Sequence, residues 1–450
     1  MRIVPLLNIL LLAMAPWFAV GAAETEHPLF AAIRAGDGAA VQTMIAQAAQ
    51  PDLLDANNEG LLLVALRHRQ FSLLQPLIQA GAPLDQANTE GVTPLIRAVA
   101  MNHEESAALL LGKGAKLDAR ARDGATALYA AVERGHTRLA RLLIERGADL
   151  SASRRADNSD GTTSLIFAAA AIGDIETTRL LLARGVNGRL YGANGCAAVF
   201  PAIAAGKTEY VKWAAGARDQ FFWECRDGIT PLMAAMAKGK KELYEVLAVP
   251  PELNRVSNRG ATALMFALES REYGGAELLL RLGADLSLAD KSGLTALHYA
   301  ARRYNPPTMD ALVAAGARLE ARDQTGRTPV HYAIMMGDIA TAEGLLRHGA
   351  SINARDNEGT SVLGTAASSG QMEPAKWLID KGFAVNERNL QGRTPLMLAA
   401  IAGRADMIRF LVSRGGVLDA RDKNGASALG LASALNRTAA VNVLIEMGAK

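Results

Sequence analysis

The chain has 450 residues, of which 48 are basic and 45 acidic, for a net charge of +3; half of it is hydrophobic but only 5% is aromatic. Balanced charge of this kind excludes a disordered polyelectrolyte and supplies no overall field to recruit nucleic acid. At ~150 residues per domain the length would suggest about three domains, yet apolar content carried by Ala, Leu, Val and Ile suits small stacked helices better than a large aromatic core.

The first element is an apolar leader. Arg2 precedes a nearly unbroken apolar run from Ile3 to Val20, and Gly21-Ala22-Ala23 stands before Glu24. This pattern predicts an export signal over residues 1–23, cleaved after Ala22 or Ala23. The run also reaches the ~18 residues a spanning helix needs, so an uncleaved membrane anchor is the alternative. No later stretch has that apolar length, so the mature chain is expected to carry no membrane span and to be periplasmic or secreted.

From residue 24 onward one period dominates. Glycines that precede a Thr-Pro-Leu-like triplet fall at Gly60, Gly91, Gly124, Gly161, Gly195, Gly228, Gly260, Gly293, Gly326, Gly359, Gly392 and Gly425. Their spacings are 31, 33, 37, 34, 33, 32 and then 33 throughout. Thr is an N-cap residue and Pro suits the first helical position, so each triplet opens a helix. Eleven residues past the repeat glycine stand Gly135, Gly206, Gly239, Gly337, Gly370 and Gly403, with Asn102 and Asn436 in the same slot. These residue types tolerate the left-handed helix end, so the first helix stops there. A second helix follows, with a Leu-Leu or Ile-Leu pair facing inward, and ends at glycines such as Gly147, Gly283 and Gly349.

The elements Gly-x-Thr-Pro-Leu-His, Ala-Ala-x-x-Gly and Leu-Leu-x-x-Gly-Ala-Asp, repeated every 33 residues, resemble ankyrin repeats. The clearest copies are Gly124 to Asp149, Gly293 to Asp323 and Gly326 to Asp356. Counting His27-Pro28-Leu29 with Gly36 as a first unit, residues 24–450 read as one array of about thirteen repeats. The resemblance implies an all-α repeat solenoid, a curved stack of helix pairs with β-hairpin fingers projecting to one side.

Several copies depart from the pattern. In the second, Leu61 to Leu63 stand where Gly-x-Thr-Pro should open, and Phe71 replaces the inter-helix glycine; Arg271 and Tyr304 do so in the eighth and ninth. The 37-residue spacing puts about four extra residues into a finger between Ser151 and Asp160, which is expected to protrude with Arg154 and Arg155 as candidate partner contacts. The repeat near 195–227 departs furthest. Ala197-Ala198-Val199 replaces Thr-Pro-Leu, and the second helix ends in Ala-Ala-Gly-Ala at 214–217. Tyr191, Phe200, Tyr210, Trp213, Phe221, Phe222 and Trp223 crowd into 33 residues of a chain with 22 aromatics. Tyr210, Trp213, Phe221, Phe222 and Trp223 are therefore candidates for a partner-binding surface, or else they refill the space left by a missing Leu pair. The two cysteines, Cys196 and Cys225, lie in adjacent fingers and are either bonded to each other or packed as free thiols.

No motif carries catalysis, a cofactor or a metal. Gly206-Lys207-Thr208 lacks the first glycine of a phosphate loop, which would fall at Pro201, and is better read as an inter-helix turn. His103-Glu104 lacks a second histidine, and no CxxC pair exists. His298 and His331 occupy the repeat's own T-P-L-H slot and read as structural. The Asp at 290, 323, 356 and 422 and the Arg at 120, 322, 355, 388 and 421 recur with the period, as turn caps and solvated ladder residues do. Carboxylates offset the arginines between Arg134 and Arg155, which argues against nucleic acid. The expectation is a monomeric, non-catalytic scaffold that binds partner proteins through finger tips and inner helices. In a Gram-negative cell it would chaperone, inhibit or hold an exported enzyme. Alternatives are a secreted effector or toxin-associated protein, and a small-ligand or peptide binder using the aromatic repeat.

Overall fold

The computed structural model describes residues 27–47, 50–155, 162–192, 194–221, 223–303 and 305–450. The expected signal segment, residues 156–161 of the long finger, Phe222 and Tyr304 lie outside them. Internal packing divides the chain at residue 155 into two compact units.

In the first unit the helices come in pairs: Pro28–Ala35 with Gly38–Ala46, Leu61–Arg67 with Leu74–Gln79, Pro94–Ala100 with Glu104–Gly112, and Ala127–Glu133 with Thr137–Glu145. Helices this short are not stable alone in water, so packing has to hold them. The first helix of each pair is enclosed by its neighbours: every residue from Leu61 to Leu66 and from Ala127 to Val132 is buried. The second is one-sided, with Leu139, Ala140, Leu143 and Ile144 turned to the core and charged residues outward.

Local chemistry sets the ends. Thr93 and Thr126 Oγ1 accept the Ile96 and Tyr129 N–H groups at 3.3 and 3.2 Å, and Pro94 begins its helix without needing the donor it lacks. The second repeat differs from the sequence expectation by two residues. Asn58, not Gly60, takes the left-handed turn (φ 56°), and Arg69, not Phe71, takes the left-handed inter-helix position (φ 58°). Gly60 sits in the N-cap slot with an extended backbone. Counted from Asn58, the spacing to Gly91 is the regular 33. A short Asn side chain tolerates the left-handed region and so conceals the repeat from a search for glycine.

In the second unit the pairing runs from Leu165–Ile172 with Ile175–Ala183 to Ala428–Ala434 with Thr438–Glu446. Each first helix packs on the next, as Val362–Ser369 does on Pro395–Ile401. Two elements are unusual. The divergent repeat opens with a helix of only five residues, Phe200–Ala204, and Pro250–Leu253 forms an extra turn where Pro250 and Pro251 stop the preceding helix. At the junction where glycine was expected, Arg271 adopts the glycine-like conformation (φ 61°).

The fingers are stitched by a backbone ladder. The N–H groups of Arg226, Asn258, Lys291, Gln324, Asn357, Leu390 and Lys423 each donate to a carbonyl of the preceding finger, at 2.7–2.9 Å. That contact explains the repeat glycine. Gly293 has φ 84°, and a Cβ there would lie 2.8 Å from the Gln324 nitrogen and 2.9 Å from the Asp323 Cα. Among the described residues the three-residue strands Ser153–Arg155 and Thr162–Ser164 are the only ones, and the other fingers carry isolated bridges such as Val256 to Thr262 and Ala289 to Thr295, so each unit is an all-α repeat solenoid. No helix of the described residues is long and apolar enough to cross a membrane.

Candidate functional site

The divergent repeat owes its aromatics to missing volume. At the same point of the second helix the preceding repeat has Leu181-Leu182 and the following one Leu247, whereas this one has Ala214-Ala215. Tyr210 and Phe221 fill the gap, at 1% and 2% exposure, and Trp223 is also buried. Trp213 packs edge-on against both Tyr210 and Phe221, with centroids 5.3 and 5.8 Å away. The Thr178 hydroxyl donates to Tyr210 Oη at 3.3 Å, and burial pushes the Tyr210 phenol up to about 12. The expectation that Tyr210, Phe221 and Trp223 form a contact surface is thus corrected: the rings are core, because they substitute for lost leucines. Phe222 lies outside the described residues.

Trp213 is the exception. It is half-buried and forms one wall of a groove of about 540 Å³ between the helices Ile175–Ala183 and Thr208–Gly216. Arg179 stands 5.6 Å over its ring. In the fingers of this region Cys196 and Cys225 are joined, their Cα atoms 3.8 Å apart, and the Cys225 side is buried. The same pair of fingers is held by the Arg226 N–H donating to the Gly195 carbonyl at 2.8 Å.

Arg154 is not a free contact residue. Its Nε reaches Asp123 Oδ2 at 2.7 Å and its Nη1 reaches Glu133 Oε1 at 2.6 Å, so the guanidinium clamps its own unit together. Arg155 closes the strand Ser153–Arg155, and its side chain lies outside the described residues. Sequence reasoning missed a second ionic cluster. Arg218 pairs with Glu252, which is 2% exposed, and lies 5.2 Å over Trp223; Arg255 pairs with Glu224. The only signal was Arg218 standing where other repeats carry glycine.

The periodic polar residues are consumed by the fold. His298 Nδ1 accepts the Thr295 N–H at 3.1 Å while Nε2 faces the Arg327 carbonyl at 3.1 Å, so both ring nitrogens are engaged. Asp290, Asp323, Asp356 and Asp422 each use Oδ1 to accept two backbone N–H groups of their own finger, at 2.8–3.0 Å. Asp323 Oδ2 also receives the Tyr332 hydroxyl at 2.6 Å. A carboxylate so occupied has little left for acid–base work. Gly206 (φ 67°) lies in the inter-helix turn. Among the described residues, no group of three or more His, Cys, Asp or Glu is placed to hold a metal.

The exposed polar surface is instead the finger row, where Arg226, Asn258, Lys291, Gln324, Asn357 and Lys423 are all open to solvent. Leu390 stands among them at 60% exposure. In comparison with known proteins, the family model described as ankyrin repeats (3 copies) matches residues 29–121, 116–191, 197–290, 278–356 and 362–450. A search of curated proteins finds no match.

Proposed function

The chain belongs to the ankyrin repeat family, and on that premise we propose that it is a non-catalytic scaffold of about thirteen repeats that binds one or more partner proteins. The observation that carries this reading is the finger row of the second unit. A continuous backbone ladder fixes the spacing of its tips, reinforced by the Asn258, Gln324 and Asn357 amides donating to carbonyls of the preceding finger, and the row stays open to solvent with an exposed leucine among its residues. Preorganised polar contacts around an apolar anchor are what a protein interface uses. The protein acts as a monomer, needs no cofactor, and works after export to a periplasmic or extracellular space. The leader over residues 1–23 supports that placement, as does the Cys196–Cys225 bond, a linkage that persists in oxidising compartments.

The test is affinity capture from the native compartment, followed by titration of what binds. Changing Leu390→Glu together with Lys423→Glu is expected to weaken binding by about 2 kcal/mol, roughly thirtyfold. Unchanged affinity of the double variant removes the finger row from the account.

A further inference from the structure

The groove beside Trp213 belongs to neither the finger row nor the core. It opens between two second helices, on the side of the solenoid formed by Ile175–Ala183 and Thr208–Gly216. Its origin is the same loss of volume that buried the other rings. Ala214 and Ala215 replace a Leu pair, Ala217 follows, and the rings that refill the interior leave the outer part of the gap empty. Leu182, Val186, Trp213 and Ala217 give it apolar walls. At its edge Gly188 meets the next repeat so closely that a Cβ would lie 2.4 Å from the Gln220 carbonyl oxygen.

The charges on the rim have one sign. Arg179 and Arg189 line the groove, and no Asp or Glu does. Both arginines are exposed. Arg179 is held over the Trp213 ring at 5.6 Å, which limits the freedom it would otherwise lose on binding a ligand. The comparable groove lined by Arg355, Lys381, Phe383 and Glu387, about 520 Å³, differs in this respect: Arg355 is already paired with Glu387 at 2.9 Å. An apolar slot of this size takes a few side chains of an extended chain, and two guanidinium forks select carboxylates.

We infer that this groove binds an extended peptide segment of a partner protein in which acidic residues alternate with or flank a large apolar one. The apolar side chain lies against Trp213 and Leu182, and the carboxylates meet Arg179 and Arg189. This is a second surface, separate from the finger row, so one scaffold can hold a folded partner and a peptide strand together.

The probe is a displayed library of random twelve-residue peptides, selected on the full chain and then on the Arg179→Glu, Arg189→Glu variant. Selection on the unaltered chain is expected to enrich Asp or Glu next to Leu, Ile, Phe or Trp. A synthetic copy of the best peptide should bind the unaltered chain at least tenfold tighter than the variant and weaken as salt is raised. Arg179→Lys with Arg189→Lys should retain most of the affinity, and Leu390→Glu with Lys423→Glu should leave it unchanged, so this proposal and the finger-row reading fail separately. Circular dichroism of each variant checks that the helices are intact. Failure to enrich peptides, enrichment without acidic residues, or equal binding to the glutamate variant overturns the inference.

Discussion

The imidazole of His331 is fully buried, with Nδ1 accepting the Thr328 N–H at 3.2 Å, and burial pushes its pKa down to about 4. Folding therefore favours the neutral ring. Above pH 6.5 neither state binds the proton and the contribution is complete. Below it the unfolded chain protonates first, and stability is lost progressively until pH 4, by about 3 kcal/mol in all. The expected result is a denaturation midpoint that falls between pH 7 and pH 4.5 in the natural protein and falls less in His331→Gln. Equal losses in both proteins would assign the slope to other groups. The carboxylates act in a different window: Asp323 is held below its ordinary value by the Tyr332 and Thr325 hydroxyls and by finger N–H groups, although burial opposes this, so its contribution fades only below about pH 4. The structural role of His298 and His331 was legible in their periodic position. The role of Arg154 was not, because its partners Asp123 and Glu133 stand 31 and 21 residues away and only the folded chain brings the three together.

At the scale of an element, the helix-to-helix junction shows how a pattern and a conformation can part company. Gly135, Gly239, Gly337 and Gly403 take it at φ between 63° and 79°, and Arg271 takes it at 61°. A left-handed backbone costs an L-residue with a Cβ roughly 1–2 kcal/mol, partly offset because glycine loses more freedom on folding. Arg271 is exposed, so replacing it removes the strain and little else. Arg271→Gly is expected to stabilise the second unit by about 0.5–1 kcal/mol, read as a higher urea midpoint. A lower midpoint would mean that the arginine makes contacts worth more than its backbone strain. Asn58 and Asn102 adopt the same conformation with a residue that tolerates it better. The left-handed ends are therefore readable from sequence where glycine, or asparagine in the regular register as at Asn102 and Asn436, marks them; Asn58 and Arg69 escaped because Gly60 drew the register two residues away.

At the scale of the whole molecule, a repeat array gains stability from neighbours along the chain and not from one central core, so separate stretches need not unfold together. Past the leader the tryptophans are Trp213, Trp223 and Trp377, all in the second unit. Urea unfolding followed by tryptophan fluorescence is expected to report that unit alone, while helical circular dichroism reports both, and the two curves should differ in midpoint or slope. Coincident curves would show the chain unfolding as one cooperative body. The sequence by itself determined the period, the helix pairs, their caps and the finger turns, because each depends on interactions within about a dozen residues that recur every 33. Only the tertiary structure decided which side chains of the aromatic repeat face water. Tyr210, Phe221 and Trp223 lie inside and Trp213 lines a groove because exposure depends on the volume and placement of residues one repeat away, such as Leu182 and Gly188, which no local pattern encodes.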